Sequence, residues 1–210
     1  MADKKKTALA LAPTTFAQWM QLAEMMAKSS IVPKEFRGDD KAGDCLVAMQ
    51  MGAAVGLSPF QAIQSIAVIN GRPCMWGDAV LGIVMASGLL EDIDETDDGT
   101  IASCMVKRKG KPTPVQRIFS RQNALEAKVY EKDGQGGGKW VALAERAVWR
   151  SYPQRMRQMR ARSWALRDAF PDVLKGLAVR EEVEDYGDPE LTEPKLVGGQ
   201  TLEERMAEMM

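Results

Sequence analysis

Near residue 66 the spacing of the apolar residues changes from that of a helix to that of a strand, and near residue 120 it changes back. Thr15 with Gln18 forms a capping box ahead of Phe16, Trp19, Met20, Ala23 and Met26, which predicts a helix over about 15–28. Leu46, Met49 and Ala53 predict a second over about 44–55, closed by Gly56, and Ser58-Pro59 starts a short third. Then Ile66-Ala-Val-Ile69 meets Asn70-Gly71, the pair preferred in a type I′ turn, and Arg72–Trp76 returns as a hairpin. Pro73 has no N–H to donate, which places that return strand at an edge. After a helix over about 78–87 come three strand-like runs, Leu89–Thr96, Thr100–Lys107 and Val115–Ser120. Helices over about 120–130, 141–150 and 153–170 complete the chain. The expected class is α+β: a small antiparallel sheet, hairpin plus three-stranded meander, packed against helices that include a long Arg-rich one.

The 210 residues, 45% of them hydrophobic, suffice for one domain with a core. We expect a disordered leader over 1–14, a single body over 15–184 and a flexible acidic tail over 185–210. The formal net charge of −1 conceals an uneven distribution. Residues 1–180 hold 26 basic and 19 acidic side chains, a net of +7, whereas residues 181–210 hold 2 and 10, a net of −8. The tail ends in a second capping box (Thr201, Glu204) with Leu202, Met206 and Met209 on one stripe, a candidate partner-docking surface.

Other classes fall away on composition. No histidine is present, which excludes His-based catalysis, metal ligation and pH switching. Cys45, Cys74 and Cys104, odd in number and widely spaced, form neither a disulfide framework nor a zinc set, and fit a reducing cytoplasm. No apolar run approaches membrane-spanning length. The Gly-rich loop over 131–139 lacks a Walker pattern and receives no nucleotide role.

The stretch Tyr152–Phe170 carries the most chemical information. Residues 145–180 contain nine basic and three acidic side chains. On a helix starting at Pro153, Met156, Met159, Leu166 and Phe170 form the expected core stripe. Arg157, Arg160 and Arg167, with Trp164 among them, line one flank, and Arg155 and Arg162 line the other. A solvated helix face normally alternates in sign, and here the acidic partners are missing. Planar guanidiniums clamp phosphates and stack on bases, so this stripe reads as a groove for a nucleic-acid backbone. Lys107, Arg108, Lys109, Lys111 and Arg117 surround a strand end and turn; they fit a solvated hairpin tip or the opposite wall of that groove. Asn70 and Arg72 at the hairpin turn are a third candidate contact. The acidic run from Glu91 to Asp98 reads as a solvated strand and turn. Its Asp92 and Asp94 are the one carboxylate pair suited to a metal nuclease, and a structural or RNA-binding protein using the same groove is the other alternative.

Several ordered stretches then resemble one family. They are Ile31-Val-Pro-Lys-Glu-Phe36, Cys45-Leu-Val-Ala-Met-Gln-Met-Gly52, Gly56-Leu-Ser-Pro59, and Ile66-Ala-Val-Ile-Asn-Gly-Arg-Pro73 with Trp76-Gly-Asp78. Tyr152-Pro-Gln-Arg-Met156 and Arg167-Asp-Ala-Phe-Pro-Asp-Val-Leu-Lys-Gly176 through Glu181-Glu182 complete the set. Together they resemble the RecT family of phage single-strand annealing proteins and, more distantly, the Beta proteins of λ-type phages. Ala147-Val148-Trp149 departs from the Gly-Pro-Trp usual there. The resemblance implies a protein that coats single-stranded DNA and anneals complementary strands without ATP, as a ring or filament in the bacterial cytoplasm. It also implies that Mg²⁺ assists binding without doing chemistry, that no cofactor is required, and that Arg155, Arg160 and Arg167 lead the phosphate contacts. A phage exonuclease or the host single-strand-binding protein is the expected partner of the tail, which alternatively competes with DNA for the arginines or serves only as a solubility tail.

Overall fold

A computed structural model describes residues 13–69, 71–132 and 137–183. The leader up to residue 12, Asn70, residues 133–136 and the tail with Leu202, Met206 and Met209 lie outside the described residues. The architecture is mixed α and β, with small sheets packed against helices.

Local chemistry sets the N-terminal half. Thr15 and Gln18 exchange side-chain and backbone hydrogen bonds at the start of α1 (Phe16–Ala27), which buries Ala23, Met26 and Ala27. A single 3₁₀ turn, Lys34–Phe36, inserts Phe36 into the core. Helix α2 (Ala42–Ala54) ends before Gly56, whose φ of +85° is the left-handed conformation that the break requires. Ser58 and Gln61 form a second capping box for α3 (Pro59–Ser65), with proline at the first helical position. Strands β1 (Ile66–Ile69) and β2 (Arg72–Met75) pair antiparallel with Ile69 opposite Arg72, and Gly71 takes a φ of +70° in the turn.

The return strand is not at an edge. β2 lies between β1 and β8 (Ala178–Val179), pairing with β8 in parallel at Cys74 and Met75. Pro73 sits one residue ahead of that pairing, so a central position is compatible with its missing N–H. The hairpin and the meander are also separate sheets rather than one. After α4 (Gly77–Ala86), β3 (Leu90–Asp97), β4 (Ile101–Arg108) and β5 (Val115–Ser120) form the antiparallel meander. In the β3–β4 turn the Asp98 carboxylate accepts the Ile101 and Thr100 N–H groups, each at 2.7 Å, which holds its pKa below the usual carboxylate range.

The segment from 120 to 150 departs most from expectation. Helix α5 (Arg121–Glu126) is cut short, and β6 (Lys128–Lys132) pairs with β7 (Gly138–Ala142) as a hairpin around the Gly-rich stretch. Val129 faces Val141 with both buried, and the rings of Tyr130 and Trp140 meet edge-on at 5.6 Å. Such cross-strand β-branched and aromatic pairs stabilise the hairpin in place of the expected helix ends. A 3₁₀ turn, Leu143–Glu145, and the short α6 (Ala147–Ser151) replace the helix expected over 141–150.

Helix α7 (Pro153–Ala169) packs on β3, β4 and β5 and also meets α4, α6, α8 (Pro171–Leu174) and α9 (Arg180–Val183). Met159, Leu166 and Phe170 of the expected stripe are buried, and Met156 packs partly against the core. Ala161 and Ala165 are fully buried as well, so α7 is a central helix and not a surface one.

Candidate nucleic-acid interface

The central position of α7 requires its arginines to find partners. Residues 93, 95 and 97 of β3 alternate inward, as a strand dictates, and bring two carboxylates to the helix. Arg157 forks onto Asp97, with Nε at 3.1 Å and Nη2 at 2.8 Å, and both side chains are 5% exposed. Arg162 forks onto Glu95 at 2.8 and 2.6 Å and reaches Asp78 of α4 at 2.9 Å. Gln158 donates to the same Glu95 carboxylate at 3.3 Å. The Glu95 hydrogen bond, followed by its charge and that of Asp78, raises the Arg162 pKa against burial. Arg155 closes the chain of pairs on Asp78 at 2.8 Å.

The other end of α7 is joined to the second basic set. Arg117 of β5 donates to Asp168 at 2.6 Å. Arg108 of β4 binds Asp172 through both terminal nitrogens, donates to the Ala169 carbonyl and lies 5.3 Å from the Phe170 ring centre. Lys107 pairs with Glu91 at 2.7 Å. Glu182, 3% exposed, accepts from Ser163 and from Arg167. Arg160 is buried with its guanidinium 6.0 Å from the Trp149 ring centre.

Arg155, Arg157, Arg162 and Arg167 therefore do not lack acidic partners; the partners come from distant segments. Arg157, Arg160 and Arg162 are at most 6% exposed and hold the fold together. Trp164 is packed edge-on to Phe119 at 5.2 Å. Glu95 and Asp97 are not on a solvated face. Of the other candidates, Arg155 and Arg167 are half exposed within their ion pairs, as are Lys107 and Arg117. Lys109, Lys111 and Arg72 are exposed, with no ion pair to a described residue. The structure joins the 107–117 set to the C-terminal end of α7, where Arg108, Lys111 and Asp168 line one cleft of about 270 Å³. Arg72 lies apart, on the other sheet. Two further cations, Arg121 and Arg150, line a second cleft; their spacing in the sequence holds no periodic signal.

Asp92 and Asp94 lie exposed on the outward face of β3. Among the described residues no group of three or more Cys, Asp or Glu side chains is placed to hold a metal ion. Among the described residues no single helix is long and apolar enough to cross a membrane.

The Arg108–Asp172 pair has a measurable consequence. Its hydrogen bond holds the Asp172 pKa down at about 2. A depressed carboxylate contributes stability above its unfolded pKa, roughly 3.9, and loses it as pH falls through the folded value. The expected midpoint of Asp172 in a carbon-detected NMR titration is about 2, and in Arg108→Gln it moves toward roughly 4. A midpoint that ignores the substitution contradicts the assignment.

No family model matches the chain, and no curated protein matches it either.

Proposed function

We propose that this chain binds single-stranded DNA and anneals it to a complementary strand without ATP, acting as an oligomer and not as an enzyme. The observation that carries the reading is a surplus of positive charge. Residues 1–180 hold 26 basic and 19 acidic side chains, and Lys107, Arg117, Arg155 and Arg167 stay half exposed within their ion pairs. The ordered RecT-like stretches over 31–184 supply the direction: strand pairing rather than cutting.

Surface cations neutralise phosphates, so two like-charged strands approach each other. Contacts limited to the backbone leave base edges free to sample complements. Arg155, Arg167, Lys107, Lys109, Lys111, Arg117 and Arg72 are the exposed candidates for those contacts, whereas Arg157, Arg160 and Arg162 act through the fold. A bacterial cytoplasm and a phage exonuclease or single-strand-binding protein as partner belong to the same reading.

Complementary oligonucleotides carrying a donor and an acceptor dye test it. The chain accelerates the rise of energy transfer over the protein-free rate, without ATP, and leaves strand length unchanged in Mg²⁺. An unchanged rate contradicts annealing, and shortened strands favour the Asp92/Asp94 nuclease instead.

A further inference from the structure

The cleft that the sequence did not point to is bounded by the β3–β4 turn, α5 and the start of α7, and encloses about 360 Å³. Its cationic lining is Arg121, Arg150 and Arg157, with one carboxylate, Glu145, and an apolar floor that includes Ala124 and Trp149. The three arginines differ in state. Arg157 is already matched by Asp97, both side chains being 5% exposed, so its charge is spent inside the protein. Arg121 and Arg150 are exposed, and neither makes an ion pair with a described residue.

Their backbones are nevertheless fixed. The Arg121 N–H donates to the Thr100 carbonyl at 2.8 Å, and the Arg150 N–H donates to the Arg146 carbonyl at 3.0 Å. Two exposed arginines from separate elements thus line one concavity, neither in an ion pair with a described residue. Each presents a planar fork suited to two oxygens of one phosphate. The single Glu145 carboxylate does not balance them, so the cleft retains a net attraction for anions.

We propose that this cleft is where the phosphate backbone of a nucleic-acid strand docks, with Arg121 and Arg150 as the contacting cations and Glu145 as a charge that weakens the contact. The proposal rests on the single-stranded DNA reading above and moves its anchor from the face of α7 to the cleft beside it. Phosphate contacts alone leave base edges outward, as annealing requires. Arg157 supports the site from beneath: its pairing with Asp97 locks α7 against β3, the strand that leads into the turn at Gly99.

Fluorescence anisotropy of a labelled oligothymidine over a salt series tests the assignment. Arg121→Gln and Arg150→Gln each weaken binding by roughly tenfold, the worth of a charge-assisted hydrogen-bonded contact. Together they flatten the plot of log affinity against log salt by about 1.4, or roughly 0.7 per lost single-strand contact. Lys28→Gln with Lys34→Gln removes the same charge at the other end of the chain and leaves that slope within experimental error. Glu145→Gln tightens binding by about twofold to fivefold, a gain that damage to the fold cannot imitate. If the wild-type chain binds the strand and the Arg121/Arg150 double variant keeps the wild-type slope, the cleft assignment falls while the DNA reading stands. If the wild-type chain does not bind the strand, both fall.

Discussion

Asp97→Ala lowers the free energy of unfolding by about 3–5 kcal/mol, because it leaves the Arg157 guanidinium buried without its counter-charge. Both side chains are 5% exposed, so water does not screen the loss. Against a total stability of roughly 5–15 kcal/mol for a typical domain, that is a large fraction. The pair is not thereby a strong net stabiliser, since desolvating two charges offsets most of their attraction. Arg157→Met combined with Asp97→Leu recovers the stability lost in either single variant, or exceeds it. Urea unfolding of the two single variants and the double variant measures the coupling. If Asp97→Ala falls within about 1 kcal/mol of the wild type, the pair behaves as an exposed one and the central burial of α7 is wrong. The same experiment guards the functional reading: inactivity of Arg157→Ala reports a lost scaffold, not a lost phosphate contact.

One chemical change has opposite effects at two helical glycines. Replacing glycine by alanine within a helix ordinarily gains about 0.5–1 kcal/mol. Gly82, inside α4, has nothing within 4 Å of the position its Cβ would take, so Gly82→Ala stabilises by that amount. Gly52, inside α2, is where α2 and α3 touch. A Cβ there would lie 2.2 Å from the Ala62 Cβ and 3.0 Å from the Ala62 Cα. Those atoms belong to or adjoin the backbone and cannot rotate away, so the two helices must separate. Gly52→Ala therefore costs about 1–3 kcal/mol despite its better propensity, and Gly52→Val costs more. Thermal unfolding of the two alanine variants gives shifts of opposite sign; a raised midpoint for Gly52→Ala contradicts the close approach.

Both predictions show where the sequence is legible and where it is not. The capping box of α1, the start of α3 at Ser58-Pro59, the break at Gly56, the turn at Gly71 and the meander strands depend on atoms a few residues apart, and they follow from the order of residues along the chain. The region from 120 to 150 was expected as two helices flanking a Gly-rich loop, whereas Val129 and Tyr130 pair with Val141 and Trp140. Only their meeting across the hairpin selects the strand. The edge position inferred for β2 failed for a similar reason, since β8 joins it from about 100 residues downstream and the local chain holds no trace of that pairing.

The sequence by itself determined that this is an α+β chain with a basic body over 1–180 and an acidic tail, no histidine chemistry and an arginine-rich helix over 153–169. Only the tertiary structure decided which of those arginines are spent. Asp97 reaches Arg157 across 60 residues of chain, Glu95 reaches Arg162 across 67, and Asp78 reaches Arg162 across 84. A cap or turn is satisfied by neighbours in the chain, so its chemistry is visible in the order of residues. An ion pair depends on distance in space, and in this fold the packing of α7 on β3 sets that distance. The same packing buries three of the arginines that looked most available and leaves Arg121 and Arg150 exposed.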